Sequence, residues 1–165
     1  MKLLKTLDSV FNKIEGAVLI FLLLVMLFMA FGQVVLRNLF SGGIVWGDIL
    51  LRHLVLWIGF LGAALATSGE RHINIDILTR YLPERLRGGV AALSDVFAAA
   101  VCFLLFRASL TFIGFEIANN NTVFANIPSW IAQIIIPVGF GLLTFHFLVR
   151  AILDAGKALQ KGAAV

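Results

Sequence analysis

Residues Ala17 to Leu36 form an apolar run without one charged side chain. Three further runs follow, Ile49 to Ala66, Val90 to Phe115 and Ile127 to Val149, each interrupted by only one or two ionisable residues. A bilayer core of ~30 Å is crossed by roughly 20 apolar helical residues. In lipid a backbone has to satisfy its own hydrogen bonds, so each run is predicted as a spanning helix. The expected fold is an all-α integral membrane protein with four transmembrane helices, over about 16–37, 47–69, 88–115 and 127–150. Very little of such a chain is left outside the bilayer.

Composition agrees. Hydrophobic residues make up 61% of the 165-residue chain, and the mean hydropathy is +1.01. A soluble domain has ~45–50% apolar residues. One small bundle fits this length and a second domain does not. The net charge of +4 is carried by loops, so it reads as a topology signal and not as a nucleic-acid surface. Cys102 is the only cysteine, which rules out an internal disulfide and a thiol pair for redox relay.

The basic residues set the orientation. Lys2, Lys5 and Lys13 precede the first helix, Arg71, Arg80, Arg85 and Arg87 follow the second, and Arg150, Lys157 and Lys161 follow the fourth. Only Arg37, Arg52 and Arg107 remain for the opposite side. The positive-inside rule then puts both termini and the 70–87 loop in the cytoplasm. The first run could be read as a secretory signal, with Ala30-Phe31-Gly32 as its cleavage site. It exceeds the ~7–15 residues of such a core and continues past that site, so a retained helix is expected.

Residues 3–14 space Leu3, Leu4, Leu7, Val10, Phe11 and Ile14 along one helical face, with Lys2, Lys5, Asp8, Asn12 and Lys13 on the other. They are predicted to form a short amphipathic helix on the cytoplasmic membrane surface, with Gly16 as a bend. The alternative is an extension of the first spanning helix. Ser41-Gly42-Gly43 is a turn signal, and Trp46 falls at the outer interface. Ile75, Leu78 and Leu82 suggest a brief helical turn before Pro83. Pro128 and Trp130 suit the opening of the fourth helix, and Pro137 should kink it.

Candidate sites are few. Asp48 and Arg52 are four apart on the second helix, with His53 beside them. They form either an ion or substrate site or an ion pair at a helix end. Gly59, Gly62, Ala63 and Ala66 make a stripe of small residues that would admit a neighbouring helix. Asp95 is the deepest acid, roughly 10 Å inside its helix. It is read as a proton relay or as a bond to a neighbouring helix or subunit. Arg107 is placed near the outer end of the third helix, at the edge of the exposed periplasmic surface with Arg37 and Glu116. Paired histidines would suggest haem. His53 and His146 differ in depth by ~20 Å and cannot share an iron, although His72 and His146 remain possible. No cofactor and no metal are assigned.

The residues from Trp46 to Pro83 carry a family likeness. Trp46-Gly47-Asp48-Ile49-Leu50-Leu51-Arg52, Trp57, Phe60-Leu61-Gly62-Ala63-Ala64, Gly69, His72-Ile73, Ile75-Asp76 and Leu82-Pro83 follow one another there. Pro128, Trp130 and Ile136-Pro137-Val138-Gly139-Phe140 add to it. Together they resemble the small membrane subunit of tripartite ATP-independent periplasmic (TRAP) transporters, the DctQ family. The likeness extends to the four-helix layout over nearly the whole chain. One departure is Ile49, which stands where the family has the second acid of a pair.

The resemblance implies a small permease subunit in a bacterial inner membrane, and not an enzyme. It would scaffold a large DctM-like subunit that carries the sodium and substrate sites. A DctP-like periplasmic binding protein would deliver an organic acid to the assembly. Solute specificity is implied to lie on those other chains. The resemblance covers Trp46, Asp48, Arg52, Gly62, His72, Asp76 and Pro137, and with Gly59, Asp95 and Arg107 from spacing and position these are the structural or interface candidates. The competing classes are a membrane anchor of a redox enzyme and a small self-contained exporter. An exporter of that kind usually needs a membrane-embedded acid in its first helix, where only Glu15 stands, at the edge.

Overall fold

The computed structural model describes residues 2–40, 42–68, 84–123 and 126–162, without the side chains of 2–9, 84–88, 91 and 154–162. The helices are α1 (Lys2–Phe40), α2 (Gly47–Ser68), α3 (Glu84–Ala118), α4 (Ser129–Gln133) and α5 (Ile135–Gly162). Four stretches are long and apolar enough to cross a membrane: Val10–Phe40, Gly47–Ser68, Ala92–Ala118 and Ser129–Leu153. The all-helical expectation holds. The predicted turn around Ile75, Leu78 and Leu82 lies outside the described residues.

Two local expectations change. Residues 3–14 are not a separate helix, because α1 runs without interruption through Gly16. A single glycine disfavours a helix by only about 1 kcal/mol, and the apolar helical spacing continues on both sides of it. The effect of Pro137 falls three residues upstream. Proline has no N–H to offer the carbonyl of Gln133. The fourth segment accordingly breaks at Ile134 into a short α4 and a long α5.

The helices stand in a row. α1 packs on α2, α2 on α5, and α5 most extensively on α3, and α1 also touches α5 over a smaller area. On α3 the buried residues Asp95, Ala99, Ser109 and Ile113 form one helical stripe against α5. On α1 the buried residues among those described are Glu15 and Gln33 alone, both polar. Hydroxyls inside the spans bond back to their own helices, as Thr67 does to the Ala63 carbonyl at 2.8 Å and Thr144 to that of Phe140 at 2.7 Å.

α3 ends in a left-handed cap. Asn120 has φ 49° and its N–H bonds the Ile117 carbonyl at 3.2 Å, a conformation that asparagine tolerates. The chain then turns back on itself. The N–H of Val123 donates to the Ile127 carbonyl at 2.9 Å and that of Ser129 to the Asn121 carbonyl at 2.8 Å.

Candidate functional site

Polar contacts collect at two levels, one at each end of the helices. At the loop end Gln33 holds the connection between α1 and α2. Its Nε2 donates to the Ile44 carbonyl at 2.8 Å, and its Oε1 accepts the Ile44 N–H at 3.0 Å. The same Nε2 lies 3.2 Å from Asp48 Oδ1. Gly47 eases this approach, since a Cβ there would stand 3.2 Å from the Gln33 amide. Arg37 Nη2 meets Asp48 Oδ2 at 2.5 Å. On the other side of the row Glu116 Oε2 accepts from the Ser129 hydroxyl and, at 3.3 Å, from Asn121 Nδ2.

At the end that carries the termini, one turn of α5 gathers the other three spans. His146 Nε2 is 3.1 Å from Glu15 Oε1 of α1, and both side chains are buried. Arg150, one turn on, lies 3.6 Å from Asp95 Oδ1 of α3 and donates from Nη1 to the Thr67 carbonyl of α2 at 3.3 Å. Phe11 and Phe145 add a ring contact at 5.5 Å between centroids. Glu15 and Gln33 are about 27 Å apart along α1. That separation is close to the ~30 Å thickness of a hydrocarbon core.

The expected site residues are not brought together. Asp48 forms an ion pair, but with Arg37 and not with Arg52, which is exposed. Helical spacing put Arg52 on the right face, and the turn at 42–46 brings Arg37 closer. Trp46 is half-exposed in that turn. Gly59 and Gly62 face open space, with nothing within 4 Å of an added Cβ. Asp95 makes the bond to a neighbouring helix that was one of its two readings. Arg107 is exposed on α3, which continues beyond it to Ala118. It is thus deeper than the rim position expected from the sequence. Pro137 is buried just past the helix break. His72 and Asp76 lie outside the described residues. His53 sits at the loop end on the Ile49 carbonyl at 2.8 Å, and His146 at the other end on Glu15. Among the described residues no group of three or more His, Cys, Asp or Glu could hold a metal.

The close helix contact lies elsewhere. Trp57 Nε1 donates to the Ala132 carbonyl at 2.8 Å, beside the break at Ile134. Phe60 covers Gly139, where an added Cβ would fall 2.3 Å from its Cδ1, and packs edge-on against Phe140 at 5.1 Å. Leu61 and Ala64 are buried on the same stretch of α2. The two segments that carry the family likeness, one on α2 and one on α5, therefore meet as a helix joint.

The model of the DctQ component of tripartite ATP-independent periplasmic transporters matches residues 26–156. The chain belongs to the DctQ family. It is 27% identical over 152 residues to the sialic acid TRAP transporter small permease protein SiaQ of Vibrio cholerae, covering 89% of this chain and 84% of that one. It is 25% identical over 161 residues to the C4-dicarboxylate small permease protein DctQ of the same organism, covering 83% and 69%. It is also 27% identical over 127 residues to the isethionate TRAP transporter permease protein DctMQ of Oleidesulfovibrio alaskensis, covering 73% of this chain and 19% of that one. This is a transporter family, and the chain is a membrane-embedded multi-pass member of it. None of these relatives is named as part of a redox enzyme.

Sequence reasoning missed the Glu15–His146 pair, the Gln33 brace and Gly139. Glu15 and His146 are far apart in the chain, and no spacing rule joins them. Gln33 was visible as a lone amide in an apolar run, which is where an interhelical hydrogen bond is expected.

Proposed function

We propose that this chain is the scaffold subunit of a TRAP transporter in the bacterial inner membrane, with both termini and the 70–87 loop in the cytoplasm. A large DctM-like subunit beside it carries sodium-coupled transport, and a periplasmic DctP-like protein delivers an organic acid. The relative named DctMQ supports a pairing with a large permease, because this chain corresponds to 19% of its length. The solutes named for the relatives, sialic acid, C4-dicarboxylate and isethionate, differ from one another. That variety fits specificity residing on other subunits.

One observation carries the scaffold reading. Arg52, Val55, Gly59, Ala63 and Ala66 are all exposed and follow each other down one face of α2, with open space at Gly59. Small residues exposed in this way let a foreign helix approach closely. The large subunit is taken to dock there.

Co-expression with the large subunit tests this. Gly59→Leu should lower the yield of the co-purified complex several-fold while the chain itself still folds, since the new side chain meets nothing within it. Wild-type yield and transport for both Gly59→Leu and Gly62→Leu would exclude the stripe as an interface. Orientation is tested separately: with Cys102 replaced, Thr79→Cys and Asn120→Cys should label from opposite sides of intact cells. Periplasmic labelling at position 79 would reverse the topology.

A further inference from the structure

Most charged side chains among the described residues sit near one of the two polar levels. On α3, Asp95 stands at one level and Glu116 at the other, roughly 31 Å apart along the helix. Arg107 lies between them, about 13 Å from Glu116 and about 18 Å from Asp95. That places it near the middle of a ~30 Å hydrocarbon core. Arg107 is exposed, and so are the side chains one turn away, Phe103, Leu104, Leu110 and Thr111. Thr111 engages only the backbone carbonyl of Arg107, at 3.3 Å. The acids of the described spans are engaged elsewhere: Asp48 with Arg37, Asp95 with Arg150, Glu15 with His146, and Glu116 with Ser129 and Asn121. Among the described residues the Arg107 guanidinium has no counter-charge.

A guanidinium stays protonated, so it cannot escape the membrane by losing its charge. A charge at mid-bilayer is expensive, and in known spans it faces a protein partner or a watery cavity. We infer that Arg107 is an intramembrane contact to the large subunit, where it pairs with a carboxylate on one of that subunit's spanning helices. The surface around it suits close approach: Ala100 and Gly114 are exposed on the same side of α3, and a Cβ added at Gly114 meets nothing within 4 Å. A planar guanidinium also favours a two-pronged carboxylate partner. The inference rests on the scaffold reading above.

The test uses the purified two-subunit complex. In a chain carrying Cys102→Ala, Arg107→Cys is combined with single cysteines at each membrane-embedded Asp or Glu of the large subunit. One pair should form a disulfide cross-link. Arg107→Leu should weaken subunit association about thirty-fold, the scale of truncating one partner of a buried charge pair. Neutralising the cross-linked acid in the same complex should restore most of that loss, because no lone charge is left. Arg107→Lys should recover only part of it. No cross-link at any acid, or unchanged association for Arg107→Leu, overturns the inference. A loss that occurs in phosphatidylglycerol nanodiscs but not in phosphatidylcholine ones assigns Arg107 to a lipid phosphate and also overturns it. If the wild-type chain does not associate with the large subunit at all, the scaffold reading fails and this inference with it. If it associates and Arg107→Leu is silent, only the inference fails.

Discussion

α1 and α3 occupy the two ends of the same row of helices, yet they are attached by different means. α3 makes the most extensive contact of any helix, burying Asp95, Ala99, Ser109 and Ile113 against α5, and adds one ion pair, Asp95 with Arg150. α1 buries only Glu15 and Gln33 among its described residues, one at each polar level. Lipid tails are as apolar as leucine, so a membrane helix gains little from hiding apolar side chains. Its position is then decided by packing fit or by polar bonds. α3 relies mainly on the first and α1 mainly on the second. The two should therefore respond differently to the same kind of substitution.

The largest effect is expected at Glu15. Glu15→Leu takes the carboxylate away from His146, a buried group at 1% exposure. Taking the partner from a buried polar group costs about 1–3 kcal/mol, and more where a charge is left behind. The double variant Glu15→Leu with His146→Leu should be more stable than Glu15→Leu alone. Thermal unfolding in detergent reads the stability. A Phe11→Cys and Phe145→Cys cross-link reads the position of α1, and it should weaken in the Glu15→Leu background. Equal melting of Glu15→Leu and wild type would mean that α1 is held by packing after all.

Next come Gln33 and Gly139, which compare a polar brace with a shape-based joint. Gln33→Leu removes both hydrogen bonds to the half-buried Ile44 backbone, about 0.5–1.5 kcal/mol each. No enlargement of a neighbour should recover it. Gly139→Ala forces a methyl into the Phe60 ring, an overpacking of about 1–3 kcal/mol. Here Phe60→Ala in the same chain should restore part of the loss. Rescue at Gly139 but not at Gln33 would support the distinction between the two modes of attachment.

The same distinction explains what could be read from the chain. Four spans and the family were legible because hydropathy and local motifs are properties of contiguous residues. The pairing of Asp95 with a neighbouring helix was one of two readings, since a deep acid needs a counterpart whatever its identity. The counterpart itself, Arg150, was not legible, nor was His146 for Glu15. Such pairs depend on which helices meet in the bundle, and hydropathy carries no information on that. The small-residue stripe was also only half legible. Gly59 and Gly62 were identified as sites of close approach, but the close approach inside this chain is at Gly139, opposite Phe60. Glycine in a span signals that something comes near, without saying whether it belongs to the same chain.

The smallest effect is expected at the surface pair of the loop end, where sequence spacing and structure name different partners for Asp48. Helical spacing pairs it with Arg52, whereas the folded turn pairs it with Arg37 at 2.5 Å. Both members of the observed pair are well exposed, with 58% of the Arg37 side chain and 44% of that of Asp48 accessible. Exposed pairs contribute about 0–1 kcal/mol. Arg37→Gln should thus lower stability by less than about 1 kcal/mol, and added salt should shrink the difference. Arg52→Gln should leave stability unchanged, since Arg52 is not the residue that holds Asp48. A double-mutant cycle with Asp48→Asn measures the coupling directly. Coupling to Arg37 but not to Arg52 is the expected result. The reverse would restore the helical pair and would mean that the turn at 42–46 does not hold Arg37 against α2.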